Sequence, residues 1–85
     1  MEKQEITEKI IAVISDLLKI KEEQVTPDST FQSLGADSLD SAELIMKIEN
    51  EFHIQIPDND SKVLNTVGSL EDYVEMALKE KNKRM

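Results

Sequence analysis

The sequence predicts an all-α fold, a small four-helix bundle of three long helices and one short, with a long first crossing loop. Three observations predict it. Apolar residues recur at helical spacing in three separate segments. Turn formers collect between the first two segments, where Pro27, Asp28, Ser29, Ser33 and Gly35 fall. Asp37 and Thr66, residue types that cap helices, stand immediately before the second and last segments.

The first helix is expected from about Lys3 to Leu18. Ile6, Ile10, Ile14 and Leu17/Leu18 form its stripe, widened by Ile11 and Val13. Glu2, Glu5 and Glu8 near its start and Lys19 and Lys21 past its end suit the helix dipole. Residues 20–37 read as a loop, longer than a compact domain usually tolerates. Ile20, Val25, Phe31 and Leu34 are spaced along it like anchors, each contributing roughly 1.5–3 kcal/mol if fully buried.

The second helix is expected from Ser38 to about Phe52, with Asp37 as N-cap and Asp40 in the first turn. Ile54-Gln55-Ile56 alternates, and Pro57-Asp58 opens a single helical turn through Val63-Leu64, with Asp58 read as a cap. Thr66 caps a last helix reaching about Leu78, with Val67, Leu70, Tyr73/Val74 and Ala77/Leu78 on its apolar face. Gly68 in its first turn costs up to ~1 kcal/mol. The whole reads as one domain over residues 1–85, its core about 3–78 and its tail 79–85 basic.

Composition narrows the chemistry. The 85 residues contain no cysteine, which excludes disulfides, thiolate metal sites and a protein-borne thiol. Acids outnumber bases 18 to 10, for a net charge of −8. From Asp28 to Glu75 eleven acids face only Lys47 and Lys62. Such a surface disfavours nucleic acid and anionic membrane and favours basic protein partners. The polar N-terminus resembles no signal peptide and no apolar run is long enough to span a membrane. A soluble cytoplasmic protein without membrane insertion, and a monomer, is the expectation.

The second helix concentrates the functional signal. Advancing ~100° per residue puts Leu44, Ile45, Ile48 and Phe52 on one side, with Ser41 beside them. Leu39, Ala42 and Met46 gather on the opposite side, flanked by Glu43 and Glu49 and with Asp40 nearer the edge. A helix that only folds needs one stripe; a second, short and acid-rimmed one reads as a docking surface, although single exposed apolar residues are ordinary. Ser38 stands at the first helical position with its hydroxyl pointing out. It lacks hydrolase machinery, because the lone histidine, His53, lies about 22 Å along the helix axis and no Gly-x-Ser-x-Gly elbow exists. The serine is either an ordinary neighbour of the cap or a group that another enzyme modifies. Asp58-Asn59-Asp60 fails as a calcium loop, since Lys62 and Val63 occupy positions that need an oxygen ligand and a glycine. Tyr73 reads as core with its hydroxyl at the rim.

Leu34-Gly35-Ala36-Asp37-Ser38-Leu39-Asp40-Ser41, then Glu43-Leu44-Ile45-Met46, Glu51-Phe52, Ile56-Pro57-Asp58 and Thr66-Val67 resemble the acyl carrier proteins of dissociated (type II) fatty acid synthesis. The similarity covers nearly the whole chain. It implies that Ser38 receives a 4'-phosphopantetheine arm from coenzyme A through a separate phosphopantetheinyl transferase. The arm's thiol then holds acyl groups as thioesters, for fatty acid synthesis enzymes with basic docking patches. The protein is then a carrier, not an enzyme. Asp37, Leu39, Asp40, Ala42, Glu43, Met46 and Glu49 fall at partner-recognition positions. The resemblance also implies an acyl pocket among Ile45, Ile48, Ile56, Val63, Leu64 and Tyr73. Lys47 stands where the family more often has a small or apolar residue, and Asn50 replaces a common acid; both make the recognition face less negative. Rival readings are a carrier for polyketide or aminoacyl groups, and an unmodified acidic helical adaptor.

Overall fold

The computed structural model describes residues 2–83 of the chain, with Arg84 and Met85 of the expected basic tail outside them. It contains α1 (Lys3–Leu18), α2 (Ser38–Phe52), a one-turn α3 (Asp58–Ser61) and α4 (Val67–Lys83). A three-residue 3-10 helix, Glu22–Gln24, interrupts the loop between α1 and α2. Those residues fall within the expected loop. The last helix, expected to end about Leu78, runs on to Lys83. The apolar stripe stops at Leu78, but Lys79, Glu80, Lys81 and Lys83 are good helix formers that prolong a helix already nucleated by packing.

α1 packs against both α2 and α4. Ile6, Ile10 and Ile14 of α1 are buried with Leu44, Ile48 and Phe52 of α2 and Val67, Leu70 and Val74 of α4. These are the stripes that the periodicity places inward. Ile54 and Ile56 are also buried while Gln55 between them is exposed, so the link after α2 alternates like a short extended segment. α1 and α2 close alike. Lys19 (φ 57°) and His53 (φ 55°) take the left-handed conformation. The N–H groups of Ile20 and Ile54, one residue further, donate to the Ser15 and Glu49 carbonyls at 3.1 and 3.2 Å. That pattern satisfies carbonyls a helix end leaves unpaired and turns an apolar residue back toward the core.

The long loop is held by the start of α4. A helix leaves its first four N–H groups without partners. Here Val67 donates to the Ser29 carbonyl and Gly68 to the Pro27 carbonyl, both at 2.9 Å. Ser69 N–H donates to Thr66 Oγ1 at 3.1 Å, and Thr66 N–H to Ser69 Oγ at 3.2 Å. Thr66 thus caps the helix as expected, and the loop supplies the remaining acceptors. Gly68, a cost in the helix ledger, has a reason. A Cβ there would stand 3.0 Å from the Pro27 carbonyl oxygen, so glycine permits the close approach that carries the bond. Of the loop anchors, Val25 and Phe31 are buried, and Ile20 and Leu34 pack on the core partly exposed.

One buried charge was invisible to the apolar pattern. Glu71 of α4 is only 5% exposed. Its Oε2 accepts from Thr7 Oγ1 at 3.3 Å, but its buried Oε1 has no partner among the described residues. Burial raises its pKa above the ordinary carboxylate value, partly offset by the Thr7 bond and the Lys3 charge. The folded state therefore holds this proton more tightly than the unfolded chain does. The stabilisation from that proton is full below the unfolded pKa and is lost as pH rises through the folded one. Glu71→Gln, a neutral isostere, is expected to stabilise the fold by about 1 kcal/mol at pH 7. The gain should shrink as the wild-type carboxyl protonates, and melting curves at pH 7 and in mild acid check both.

Candidate functional site at the start of the second helix

The chain reaches α2 through a tight turn. The N–H groups of Leu34, Gly35 and Ala36 donate to the carbonyls of Thr30, Gln32 and Phe31 at 3.0–3.1 Å. Gly35 takes φ 93°, which a side chain would strain. Asp37 then caps α2. Its Oδ1 accepts from Asp40 N–H at 2.8 Å, and Asp40 Oδ2 accepts from Asp37 N–H at 3.3 Å. This reciprocal box satisfies two N–H groups and sets two carboxylates at the positive end of the helix dipole. Neither bond uses the hydroxyl of Ser38, which is exposed at the first helical position.

Leu39 and Met46 are 79% and 60% exposed. Ala42 and Glu43 are exposed beside them and Asp40 is partly buried. The second strip therefore faces outward while Leu44, Ile48 and Phe52 fill the core. Glu49 is not a free rim carboxylate. It is partly buried, and its Oε2 accepts from the Ile56 N–H at 2.7 Å. The bond ties α2 to the link before α3, and seven residues of separation gave no signal for it.

Between α2 and α3 lies an open cleft of about 910 Å³ with Ser38 on its rim. Ala42, Ile45 and Met46 line it from α2, Ile56 and Pro57 from the link, and Leu64 with Asn65 from beyond α3. Three residues expected among its walls stand elsewhere. Ile48 is wholly inside the core, because its angular position on α2 is that of Leu44 and Phe52. Val63 is 70% exposed, since the turn after α3 carries it outward and buries Leu64 instead. Tyr73 lines a different depression, with His53 and Lys81.

The phenol of Tyr73 donates to Asp60 Oδ2 at 2.7 Å, joining α4 to α3. Asp58, expected as a cap, makes no capping bond from its side chain; Pro57 is the N-cap and Asp58 the first helical residue. Among the described residues no group of three or more acids and histidines gathers as a metal site. The Asp60 carboxylate accepting its hydrogen bond, aided by partial burial, pushes the Tyr73 phenol up to about 12. Its share of stability is therefore full below pH ~10 and is lost as pH rises through the folded value. Tyr73→Phe should cost about 1 kcal/mol at neutral pH. In urea titrations the gap from wild type should close at strongly alkaline pH.

An exposed serine opening a helix, free of its own cap and beside an apolar cleft, defines a scaffold that offers one hydroxyl for modification. Comparison with known proteins gives that scaffold a family. The family model described as "Phosphopantetheine attachment site" matches residues 8–74. Acyl carrier protein of Chlorobium phaeobacteroides is 44% identical over 75 residues, which is 87% of this chain and 96% of that protein. Acyl carrier protein of Thermosynechococcus vestitus is also 44% identical over 75 residues, 87% of this chain and 93% of that protein. The solved structure of acyl carrier protein from Enterococcus faecalis superposes with a TM-score of 0.77 at 32% identity, covering 91% of this chain and 99% of that one.

The chain belongs to the acyl carrier proteins, carriers of acyl groups on a covalent 4'-phosphopantetheine. Members of this family interact with synthesis enzymes and with the transferase that modifies them. The site fits such a group. An accessible hydroxyl stands where a helix start favours a phosphate, and an apolar cleft opens at its side. Among the described residues, no helix is long and apolar enough to cross a membrane.

Proposed function

We propose that Ser38 is the attachment point and that this chain carries growing acyl chains among the enzymes of fatty acid synthesis. The observation that carries the reading is the exposed Ser38 hydroxyl, outside the Asp37–Asp40 box and on the rim of the α2–α3 cleft. Loading joins Ser38 Oγ to the coenzyme A phosphorus. The pyrophosphate P–O bond breaks, the adenosine bisphosphate leaves, and the serine proton passes to a base of the transferase. The bound group supplies a thiol, which this chain lacks, and that thiol holds acyl groups as thioesters.

The protein's own residues present and shelter the cargo. Ala42, Ile45, Ile56 and Leu64 offer apolar wall to the acyl chain, each buried methylene gaining about 0.8 kcal/mol. Leu39 and Met46 fill a shallow pocket on the partner, while Asp37, Asp40 and Glu43 steer basic docking patches. Glu49 acts chiefly in holding the link to α3. The chain is a single domain and a cytoplasmic monomer, and it performs no catalysis itself.

Incubation with coenzyme A, magnesium and a phosphopantetheinyl transferase should add the mass of one phosphopantetheine, mapped by peptide fragmentation to Ser38. A fully accessible protein that gains no mass defeats the proposal. Charge steering has its own test. Glu43→Lys should leave stability within about 0.5 kcal/mol. It should slow association with a basic synthase partner several-fold at low salt, and the difference should fade as salt screens it. Equal rates at low ionic strength would sink the steering role.

A further inference from the structure

The start of α1 depends on α4. Glu2, the N-cap of α1, makes no capping bond from its side chain among the described residues. The helix therefore opens without the local bond that best secures a first turn. Over residues 3–8 the side-chain bonds to the rest of the fold run to two adjacent residues of α4. Lys3 Nζ donates to Asp72 Oδ1 at 3.4 Å with both side chains exposed, and such a surface pair contributes little. The other tie is internal. Thr7 Oγ1 donates to Glu71 Oε2 at 3.3 Å, while Glu71 Oε1 is buried with no hydrogen-bond partner among the described residues. Ile6 and Leu70, the residues just before these two, are wholly buried. The carboxyl thus stands against the apolar seam between α1 and α4. The next tie along α1, from Lys9 to Glu51 of α2 at 3.2 Å, lies beyond this stretch.

We propose that Glu71 is a pH-sensitive latch for the start of α1: while its carboxyl is neutral, residues 3–8 stay seated on α4, and once it is ionised, water enters the seam and these residues fray from the bundle. A carboxylate has two oxygens to satisfy, and the seam offers this one a single hydroxyl. The ionised form gains its missing solvation only by opening the contact. Two charged groups act on it. Lys3 of α1 favours ionisation, and Asp72 of its own helix opposes it. Glu75, one turn further along α4, is engaged by Lys79 at 3.7 Å. Burial is the largest influence and holds the proton beyond the ordinary carboxylate range. The seated carboxyl therefore keeps its proton to higher pH than the freed one. Rising pH favours the open form across the interval between those two values, and the effect levels off above the seated one. An uncapped helix start has little stability of its own once detached. Neither Thr7 nor Glu71 lines the cleft beside Ser38, and α2 keeps its own capping box. The latch loosens α1 and leaves the start of α2 in place.

Amide hydrogen exchange by NMR, corrected for the intrinsic rate at each pH, reads the opening. The ¹³C shift of the Glu71 carboxyl reads its titration in the same samples. Residues 6–10 should be less protected than residues 44–48 of α2. Their protection should fall by up to about tenfold per pH unit above the ordinary carboxylate pKa and level off where Glu71 has titrated. In Glu71→Gln, a neutral isostere, that fall should vanish. Thr7→Val keeps the side-chain shape and removes the donor that favours the ionised carboxyl. It should move the Glu71 titration and the levelling-off to higher pH together. The same fall in Glu71→Gln would trace the opening to the net charge of −8 and overturn the latch. Equal protection of the two segments at every pH would leave only global unfolding and overturn it as well. So would a Glu71 carboxyl that titrates in the ordinary range, or one whose titration Thr7→Val leaves unmoved.

Discussion

Ser38→Ala is expected to abolish phosphopantetheine loading completely while leaving the fold intact. On the proposed attachment the hydroxyl oxygen is the atom that bonds phosphorus, and with no neighbour placed to replace it the loss is total. Ser41, the next serine, is partly buried one turn further along α2 and faces the core side of the helix. The fold survives because Ser38 occupies the first helical position and not the cap. Asp37 and Asp40 exchange both bonds of the box without it, and alanine is the best helix former. The stability change should stay within about 0.5 kcal/mol. Intact mass after incubation with transferase, together with a melting curve, reads both halves. Loading of the alanine variant would move the attachment to another residue. Loss of loading accompanied by unfolding would show that Ser38 holds structure the capping box does not explain.

The contrast between Ser38 and its cap explains how much could be read from the sequence. α2 was legible at both ends and on both faces because its determinants are local. Asp37 and Asp40 are three residues apart, and the stripes follow from the helical period alone. The exposed Leu39 and Met46 were legible for the same reason. What escaped depends on residues far apart in the chain. The loop between α1 and α2 looked too long because its stabilising bonds run from Ser29 and Pro27 to Val67 and Gly68, about forty residues on. Gly68 looked like a flaw until Pro27 stood opposite it.

Within the candidate site the same division holds. Ile45, Ile56 and Leu64 meet at the cleft, but Val63 and Leu64 are adjacent apolar residues, and only the turn after α3 decides which points inward. Glu49 read as a rim acid because nothing local shows that the Ile56 N–H needs an acceptor. Nothing local marks Glu71 as buried, and charged residues are almost never fully buried without a partner. Its position reflects the shape of the α1–α4 contact, where Thr7 meets it.

Phe31→Ala should be the most destabilising of the substitutions considered, at about 3–5 kcal/mol. Phe31 is 8% exposed and packs within the core, although it belongs to the loop. Its backbone is committed as well. Its N–H donates to the Asn65 carbonyl at 3.2 Å, and its carbonyl accepts from Ala36 at 3.0 Å. Truncating the ring leaves a cavity where the loop crosses, and the surrounding bonds limit how far the loop can collapse into it. For a domain of this length total stability is about 4–13 kcal/mol, so the loss is roughly a quarter of it or more. A fall in melting temperature of roughly 12–40 °C follows. Function should suffer before unfolding does, since Phe31 also walls the cleft beside Ser38. At a temperature where the variant is still folded, an octanoyl chain on the loaded protein should therefore stabilise it less than the same chain stabilises the wild type. Urea titration of both proteins, with and without the acyl group, measures the two effects together. A loss under 1 kcal/mol would mean that the ring does not pin the loop, and an undiminished acyl effect would mean that the cleft does not depend on it.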